Sequence, residues 1–231
     1  MWEAERAFFA PSFRVITPDL PGFGEAVRQA VPSIPQMAQA VAEFLDRSGV
    51  REPAFIGGLS MGGYVTFEFL RQFPGRVRGL GLFSTRAVPD TEEGRAARFK
   101  TAEKIRKEGM GPFSESILPK LLGRSTLESQ PEVVRRVKET ILRSRPEGVT
   151  DALLAMADRR DSADLLGSIR CPTLVLAGNE DAFILVSEAE RMASQIPGAE
   201  LAVIRQAGHL VNLEQPAVFL SVLERFLLSR E

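Results

Sequence analysis

The most informative stretch of this chain is Phe55-Ile56-Gly57-Gly58-Leu59-Ser60-Met61-Gly62-Gly63-Tyr64. It contains a G-x-S-x-G pentad over residues 58–62, which follows an apolar run and precedes a helical pattern. In a tight strand-to-helix turn, small residues let neighbouring backbones pass closely, and the turn lifts the serine hydroxyl above the sheet. The pentad therefore predicts Ser60 as a nucleophile and the N–H of Met61 as a donor to a developing oxyanion. A dinucleotide-binding loop would need G-x-G-x-x-G spacing, which these glycines lack.

A base and an acid for this serine follow later in the chain. A serine hydroxyl needs a base to become nucleophilic at neutral pH, and His209 is the only histidine in the sequence. It follows the last predicted strand. The carboxylate that would hold its tautomer comes after the fourth predicted strand, where functional sites collect in open α/β sheets. Asp181 is the preferred acid and Glu180 is the weaker candidate.

The wider sequence predicts an α/β protein. Five short apolar runs are predicted strands, over residues 13–17, 53–56, 77–83, 173–177 and 201–204. Helical patterns lie between them, over residues 34–47, 62–73, 187–195 and 216–229. This alternation, with strands apolar on both faces, is typical of an open, mostly parallel sheet flanked by helices.

The alternation stops between the third and fourth predicted strands. Residues 89–168 contain helical patterns, charged runs and several Gly and Pro breakers, which predicts a helical insertion. The core would then consist of residues 1–88 and 169–231. Some apolar residues of the insertion could line a substrate pocket, although each also suits packing inside the insertion: Phe113, Leu118, Leu121 and Met156.

Composition narrows the function classes. The chain has 231 residues and a formal net charge of -1, which gives no indication of a nucleic-acid or membrane partner. The expected partner is a small-molecule substrate, and a homodimer is compatible with the sequence. A single cysteine, Cys171, excludes an internal disulfide, so we expect a reducing, cytoplasmic setting. With one His and one Cys, the usual zinc site cannot be built, and we expect neither a metal nor a cofactor.

These motifs together resemble a known family. The markers are Pro18-Asp19-Leu20-Pro21-Gly22-Phe23-Gly24, Gly57 to Gly63, Pro172 to Asp181, Ala207-Gly208-His209 and Glu214-Gln215-Pro216. They are similar to compact, capped α/β-hydrolases of the 3-oxoadipate enol-lactonase and carboxylesterase group, and the chain order Ser, Asp, His is that of this fold. The resemblance implies a Ser60–Asp181–His209 triad, a lid formed by residues 89–168, and hydrolysis of a small, largely apolar ester or lactone through an acyl-enzyme.

Two other functions remain open at this point. A carbon–carbon bond hydrolase acting on ring-cleavage products would use the same triad. A non-catalytic α/β-hydrolase-like binding protein would keep the fold without the activity.

The front of the sequence departs from that family. Its members have three strands before the Pro18–Gly24 loop, and the third ends in a His-Gly turn that supplies a second oxyanion N–H. No His-Gly occurs before Phe13, and residues 1–10 resemble the helix that follows this turn. The missing strand would leave a gap between residues 13–17 and 53–56. We expect Met1 to be an internal methionine of a longer protein; a naturally shortened chain and a partner chain that completes the sheet are the alternatives.

Overall fold

The computed structural model describes residues 1–27 and 32–229 of the chain. Four strands form one sheet: β1 Ala54–Leu59, β2 Val77–Phe83, β3 Thr173–Gly178 and β4 Glu200–Ile204. The order in the sheet is the order along the chain, and all neighbouring strands are parallel. Because the strands are parallel, their carboxyl ends lie at one edge of the sheet. The predicted α/β class with a parallel sheet is confirmed.

Residues 13–17 were predicted as the first strand, and this prediction is wrong. Among the described residues β1 is hydrogen-bonded only to β2, so no strand pairs with residues 13–17. A strand needs a neighbour for its backbone groups, and apolar alternation alone does not supply one. Phe13 and Val15 instead pack against the core cluster that includes Phe219, while Ile16 packs against another cluster that includes Met37. The apolar pattern of this segment therefore reflects burial.

Twelve α-helices lie within residues 1–27 and 32–229. They are α1 Glu3–Phe9, α2 Ile34–Arg47, α3 Met61–Gln72, α4 Glu92–Glu108, α5 Met110–Leu121, α6 Arg124–Ser129, α7 Pro131–Arg143, α8 Pro146–Ala157, α9 Ala163–Leu166, α10 Val186–Gln195, α11 Val211–Glu214 and α12 Pro216–Leu228. The helix predicted over residues 34–47 has the bounds of α2, which begins at a capping box between Ser33 and Gln36. None of the described helices has the length and apolar character needed to cross a membrane.

The two central strands, β2 and β3, are buried on both faces, whereas Leu201 and Val203 of the edge strand β4 are exposed. Leu80 and Leu82 of β2 pack in a cluster with residues of α3 and α10. Phe83 faces the other side, where its ring lies 5.1 Å from that of Phe219 in α12 and 6.2 Å from that of Trp2. Each such side chain contributes about 1.5–3 kcal/mol when it is fully buried. Burial on both faces explains why these strands read as almost continuous apolar runs.

Six of the helices, α4 to α9, lie between β2 and β3, with no strand among them. An ion-pair cluster, called the root below, joins these helices to the core. In it Asp90 bonds to Arg98 and Arg159, with Arg159 Nη1 2.9 Å from Asp90 Oδ2. The guanidinium of Arg159 also lies 4.2 Å from the centre of the Tyr64 ring in α3. Residues 89–168 are called the insertion below.

Candidate active site

Ser60 lies at a strained turn between β1 and α3. Its backbone angles are φ 55° and ψ −115°, a region that residues with a side chain rarely adopt. Three hydrogen bonds of 2.9 Å hold this backbone. The Ser60 N–H donates to the Phe83 carbonyl, while the Ser60 carbonyl accepts from the Gly63 N–H and from the Thr85 hydroxyl. Strain of this kind persists only where the surroundings over-determine it, and it is concentrated at functional sites.

The glycines around Ser60 have different reasons to be glycine. A Cβ on Gly58 would lie 2.1 Å from the carbonyl carbon of Gly62, and a Cβ on Gly63 would lie 2.4 Å from the Thr85 hydroxyl oxygen. A Cβ on Gly62 would meet nothing within 4 Å in the described structure. Gly58 and Gly63 are therefore required by close approach, whereas Gly62 is not.

Met61 is the first residue of α3. The first N–H groups of a helix have no acceptor within the helix, and they form the positive end of its dipole. This N–H follows the serine directly, as the predicted oxyanion donor must. Its role stays a prediction.

Asp181 and His209 are paired in a buried contact. Asp181 follows β3 and His209 follows β4, and His209 Nδ1 lies 2.9 Å from Asp181 Oδ2. The other carboxylate oxygen of Asp181 accepts the backbone N–H groups of Phe183 at 2.8 Å and Ile184 at 3.0 Å. Because an ionised carboxylate only accepts, this contact places the imidazole proton on Nδ1 and leaves the lone pair on Nε2. The side chains of both Asp181 and His209 are buried.

Glu180, the weaker candidate for the acid, points elsewhere. Its carboxylate accepts the Ser125 N–H at 2.8 Å and the Ser125 hydroxyl at 2.6 Å. The carboxylates of Glu180 and Asp181 therefore bind different segments of the chain, and Asp181 is the one that contacts the imidazole. Of the two adjacent acids that the sequence offers, Asp181 contacts the imidazole and Glu180 contacts Ser125, and the role of Asp181 in a triad stays a prediction.

Backbone hydrogen bonds tie the loops at this edge of the sheet together. The Ser84 N–H donates to the Leu176 carbonyl at 2.7 Å, so the loop after β2 is fixed to β3. The Glu180 N–H donates to the Ala207 carbonyl at 2.8 Å, so the loop with Asp181 is fixed to the loop with His209. The three predicted triad residues thus follow strands β1, β3 and β4 at one edge of the sheet. Within the described residues no cluster of three or more His, Cys, Asp or Glu side chains could hold a metal ion.

The four predicted pocket residues of the insertion have different surroundings. Leu118 is buried with Leu122 and Val137, and Leu121 packs against the same cluster. Met156 packs against the cluster that includes Met37, and Phe113 is partly buried. Their role toward a substrate stays a prediction.

Sequence reasoning missed two contributors to this region. Thr85 holds the Ser60 carbonyl, and nothing in the sequence pattern points to it. Glu214 is buried beneath the His209 loop and accepts the Leu210 N–H at 3.1 Å. Its signal was present, because Glu214-Gln215-Pro216 is one of the family markers, but the pattern gave no role for the side chain.

Comparisons with known proteins agree with this architecture. The chain is 42% identical to a thermophilic esterase from Thermogutta terrifontis solved with malate bound, with a TM-score of 0.96, and the match covers 99% of this chain and 85% of the other. It is 27% identical to 3-oxoadipate enol-lactonase 2 from Acinetobacter baylyi over 95% of this chain and 80% of the relative. The enol-lactonase from Burkholderia xenovorans LB400 has a TM-score of 0.89 at 25% identity, covering 98% of this chain and 85% of the other. A family model described as alpha/beta hydrolase fold matches residues 2–216, and the chain therefore belongs to that family.

Proposed function

We propose that this protein is a carboxylic ester hydrolase that cleaves an ester or lactone of a small, largely apolar substrate through an acyl-enzyme on Ser60. The observation that carries the proposal is the buried Asp181–His209 pair at the sheet edge where β1 ends in the strained Ser60 turn. The likeness to enol-lactonases and to an esterase supports ester or lactone hydrolysis.

Acylation begins when His209 Nε2 takes the proton of the Ser60 hydroxyl. The Ser60 oxygen attacks the carbonyl carbon, and the carbonyl oxygen becomes an oxyanion that the Met61 N–H stabilises. Asp181 holds the imidazole in orientation and stabilises the imidazolium that forms. The tetrahedral intermediate then collapses, and the alcohol oxygen leaves with the proton that His209 had taken.

Deacylation repeats these steps with water. His209 Nε2 takes a proton from water, and the water oxygen attacks the acyl carbon of the ester on Ser60. Collapse returns the proton to the Ser60 oxygen and releases the carboxylic acid. A lactone would give a single hydroxy acid, because its acyl and alcohol parts are joined. Neither half-reaction needs a metal ion or an organic cofactor.

Substrate selection in this proposal belongs to the insertion. Phe113, Leu118, Leu121 and Met156 would supply apolar surface to the acyl or alcohol group of the substrate. We propose a cytoplasmic small molecule as the substrate, in line with the single Cys171. Turnover of short-chain aryl esters and of simple lactones by the purified chain is the expected result of a substrate panel. Turnover of a ring-cleavage product alone would favour carbon–carbon bond hydrolysis instead.

The direct test is a fluorophosphonate reaction followed by mass spectrometry of the adduct. Labelling is expected at Ser60 and should be lost in Ser60→Ala and in His209→Ala. Circular dichroism of each variant shows whether the fold is intact. A folded wild-type protein that is not labelled and that hydrolyses no ester would contradict the proposal and favour a binding role.

A further inference from the structure

A segment of the insertion is fastened to the loops that carry Asp181 and His209. This segment, residues 121–126, is called the clamp segment below; it runs from the end of α5 into α6. Glu214 belongs to the core side of this junction, and the exposed fraction of the residue is 1%. Its Oε2 accepts the Gly123 N–H and the Thr126 hydroxyl, each at 2.7 Å, while its Oε1 accepts the Leu210 N–H at 3.1 Å. One buried carboxylate therefore joins the clamp segment to the residue after His209.

A second carboxylate fastens the same segment to the loop that carries the acid. Glu180 directly precedes Asp181, and its side chain accepts both the N–H and the hydroxyl of Ser125. Hydrogen bonds to a charged acceptor are stronger than those between neutral groups. At the start of α6 they also satisfy N–H groups that have no acceptor within the helix.

The backbones themselves touch where these segments meet. The His209 N–H donates to the Leu121 carbonyl at 3.1 Å. A Cβ on Gly208 would lie 2.2 Å from the Gly123 nitrogen, and a Cβ on Gly178 would lie 2.2 Å from the Gly208 carbonyl oxygen. Three chain segments are therefore stacked with no side chain between them. A displacement of the clamp segment must displace the backbone at residues 208–210.

We infer that Glu214 is a positioning residue for His209, acting through the clamp segment and the Leu210 N–H. The inference rests on the proposed function, in which His209 is the base. It divides the insertion in two. The backbone and polar groups of the clamp segment belong to the frame of the active site, whereas the apolar side chain of Leu121 and the remaining helices of the insertion are free to serve the substrate.

The mechanism of this positioning is geometric. Asp181 holds the imidazole of His209 at Nδ1. The Leu121 carbonyl holds the backbone N–H of His209, and Glu214 holds the backbone N–H of the next residue, Leu210. Removal of one backbone hold leaves the Asp181 bond in place but allows the ring to shift. A misplacement of about 1 Å can cost about 100-fold in rate, and loss of an outer supporting bond about 10- to 100-fold.

The test uses the fact that His209 is the only histidine, so that a tag-free protein gives a single set of imidazole NMR signals. Glu214→Gln keeps the shape but replaces one acceptor oxygen by an NH₂ group, which cannot accept the bonds made there. We expect kcat for an activated ester to fall about 10- to 100-fold while KM changes less than about threefold. We also expect the Nδ1–H proton of His209 to exchange with solvent at least about tenfold faster.

Two controls separate positioning from general damage. Glu190→Gln makes the same change on the exposed face of α10 and should leave kcat and the imidazole signals as in the wild type. Thr126→Val removes one donor to Glu214, and Thr126→Ser restores it. We expect Val to lower kcat and Ser to recover it. If Glu214→Gln does not fold, the comparison of Thr126→Val with Thr126→Ser tests the inference.

Two results would overturn the inference. One is wild-type kcat and wild-type Nδ1–H exchange in both Glu214→Gln and Thr126→Val. The other is a rise in KM with unchanged imidazole signals, which would assign the clamp segment to substrate binding. Failure of the proposed function has a different signature, since wild-type protein would then show no Ser60 labelling while the NMR comparison still reports how His209 is held.

Discussion

The carboxyl edge of the sheet and the outer helices of the insertion are held by different forces. At the sheet edge, the Ser60 carbonyl has two donors, Asp181 Oδ1 accepts two backbone N–H groups, and glycine backbones lie in contact. On the solvent-facing side of α7, one of these outer helices, the contacts are exposed ion pairs, such as Arg135 with Glu132 and Glu139. Closely packed backbones have one arrangement and leave no space for an added side-chain atom. Exposed ion pairs, in contrast, can form in many side-chain arrangements. We therefore expect substitutions to act mainly on geometry at the edge and to have little effect on the outer helices.

The largest effect is expected from Asp181→Asn. The amide would favour the wrong tautomer of His209, which costs about 10⁴-fold in kcat in an established Ser-His-Asp enzyme. The matched control is Glu180→Gln, the same chemical change one residue earlier, for which we expect a loss of about tenfold. Steady-state kinetics on an activated ester measure both. Equal losses in the two variants would mean that the sheet edge does not distinguish the two acids.

The next effect concerns stability and uses the two glycines of the pentad. Gly58→Ala would place a methyl group 2.1 Å from the Gly62 backbone, and we expect a loss of about 3 kcal/mol or more in the free energy of unfolding. Gly62→Ala adds its methyl group to open space in α3 and should be neutral or stabilising by up to about 1 kcal/mol. Urea denaturation compares the two. A stable Gly58→Ala protein would show that the backbone contact at this turn can relax.

The root of the insertion lies between the two extremes, because Asp90 and Arg159 form a buried ion pair. Burial by itself raises the pKa of Asp90. The hydrogen bonds from Arg98 and Arg159 together outweigh this effect, so the pKa is lowered from 3.8 to about 2. This difference contributes about 2 kcal/mol to folding at neutral pH. Asp90→Asn should lose at least that amount, since it also leaves Arg159 buried without its counter-charge.

The sign of the pH dependence follows from the lowered pKa. The carboxylate form is favoured in the folded state, so the contribution of Asp90 is fully present above the unfolded pKa of 3.8 and is lost as the pH falls toward 2. The stability difference between wild type and Asp90→Asn should therefore narrow between about pH 4 and pH 2. Urea titrations at several pH values check this. A difference that stays constant down to the lowest pH at which the proteins fold would contradict the role given to Asp90.

The smallest effect is expected on the outer surface of α7. Arg135→Ala removes an exposed side chain that pairs with Glu132 and Glu139. We expect Tm to change by less than about 2 °C, the change to shrink further in high salt, and kcat to stay at the wild-type value. Differential scanning fluorimetry at low and high salt is sufficient. A large loss of activity would show that the outer helices also carry catalytic geometry.

The local features of this protein were readable from its residues. The bounds of β2, the start of α2 at Ser33 and the strand–turn–helix around Ser60 agree with their patterns, because apolar periodicity, caps and small turn residues act over a few neighbours in the chain. The chain order of Ser60, Asp181 and His209 pointed to one edge of a parallel sheet for the same reason, since each follows a predicted strand.

The remaining features depended on contacts between distant parts of the chain. Residues 13–17 look like a strand but have no ladder partner, because pairing depends on a neighbour that no local pattern can provide. Glu180 and Asp181 are adjacent and chemically alike, and only the placement of Ser125 and His209 gives them different partners. Glu214 contacts a segment that lies far away in the sequence, since Gly123 precedes it by 91 residues. Hydrogen-bond partners and close backbone approach exist only in the folded chain. They distinguish the residues that shape this site from chemically similar residues nearby in the sequence.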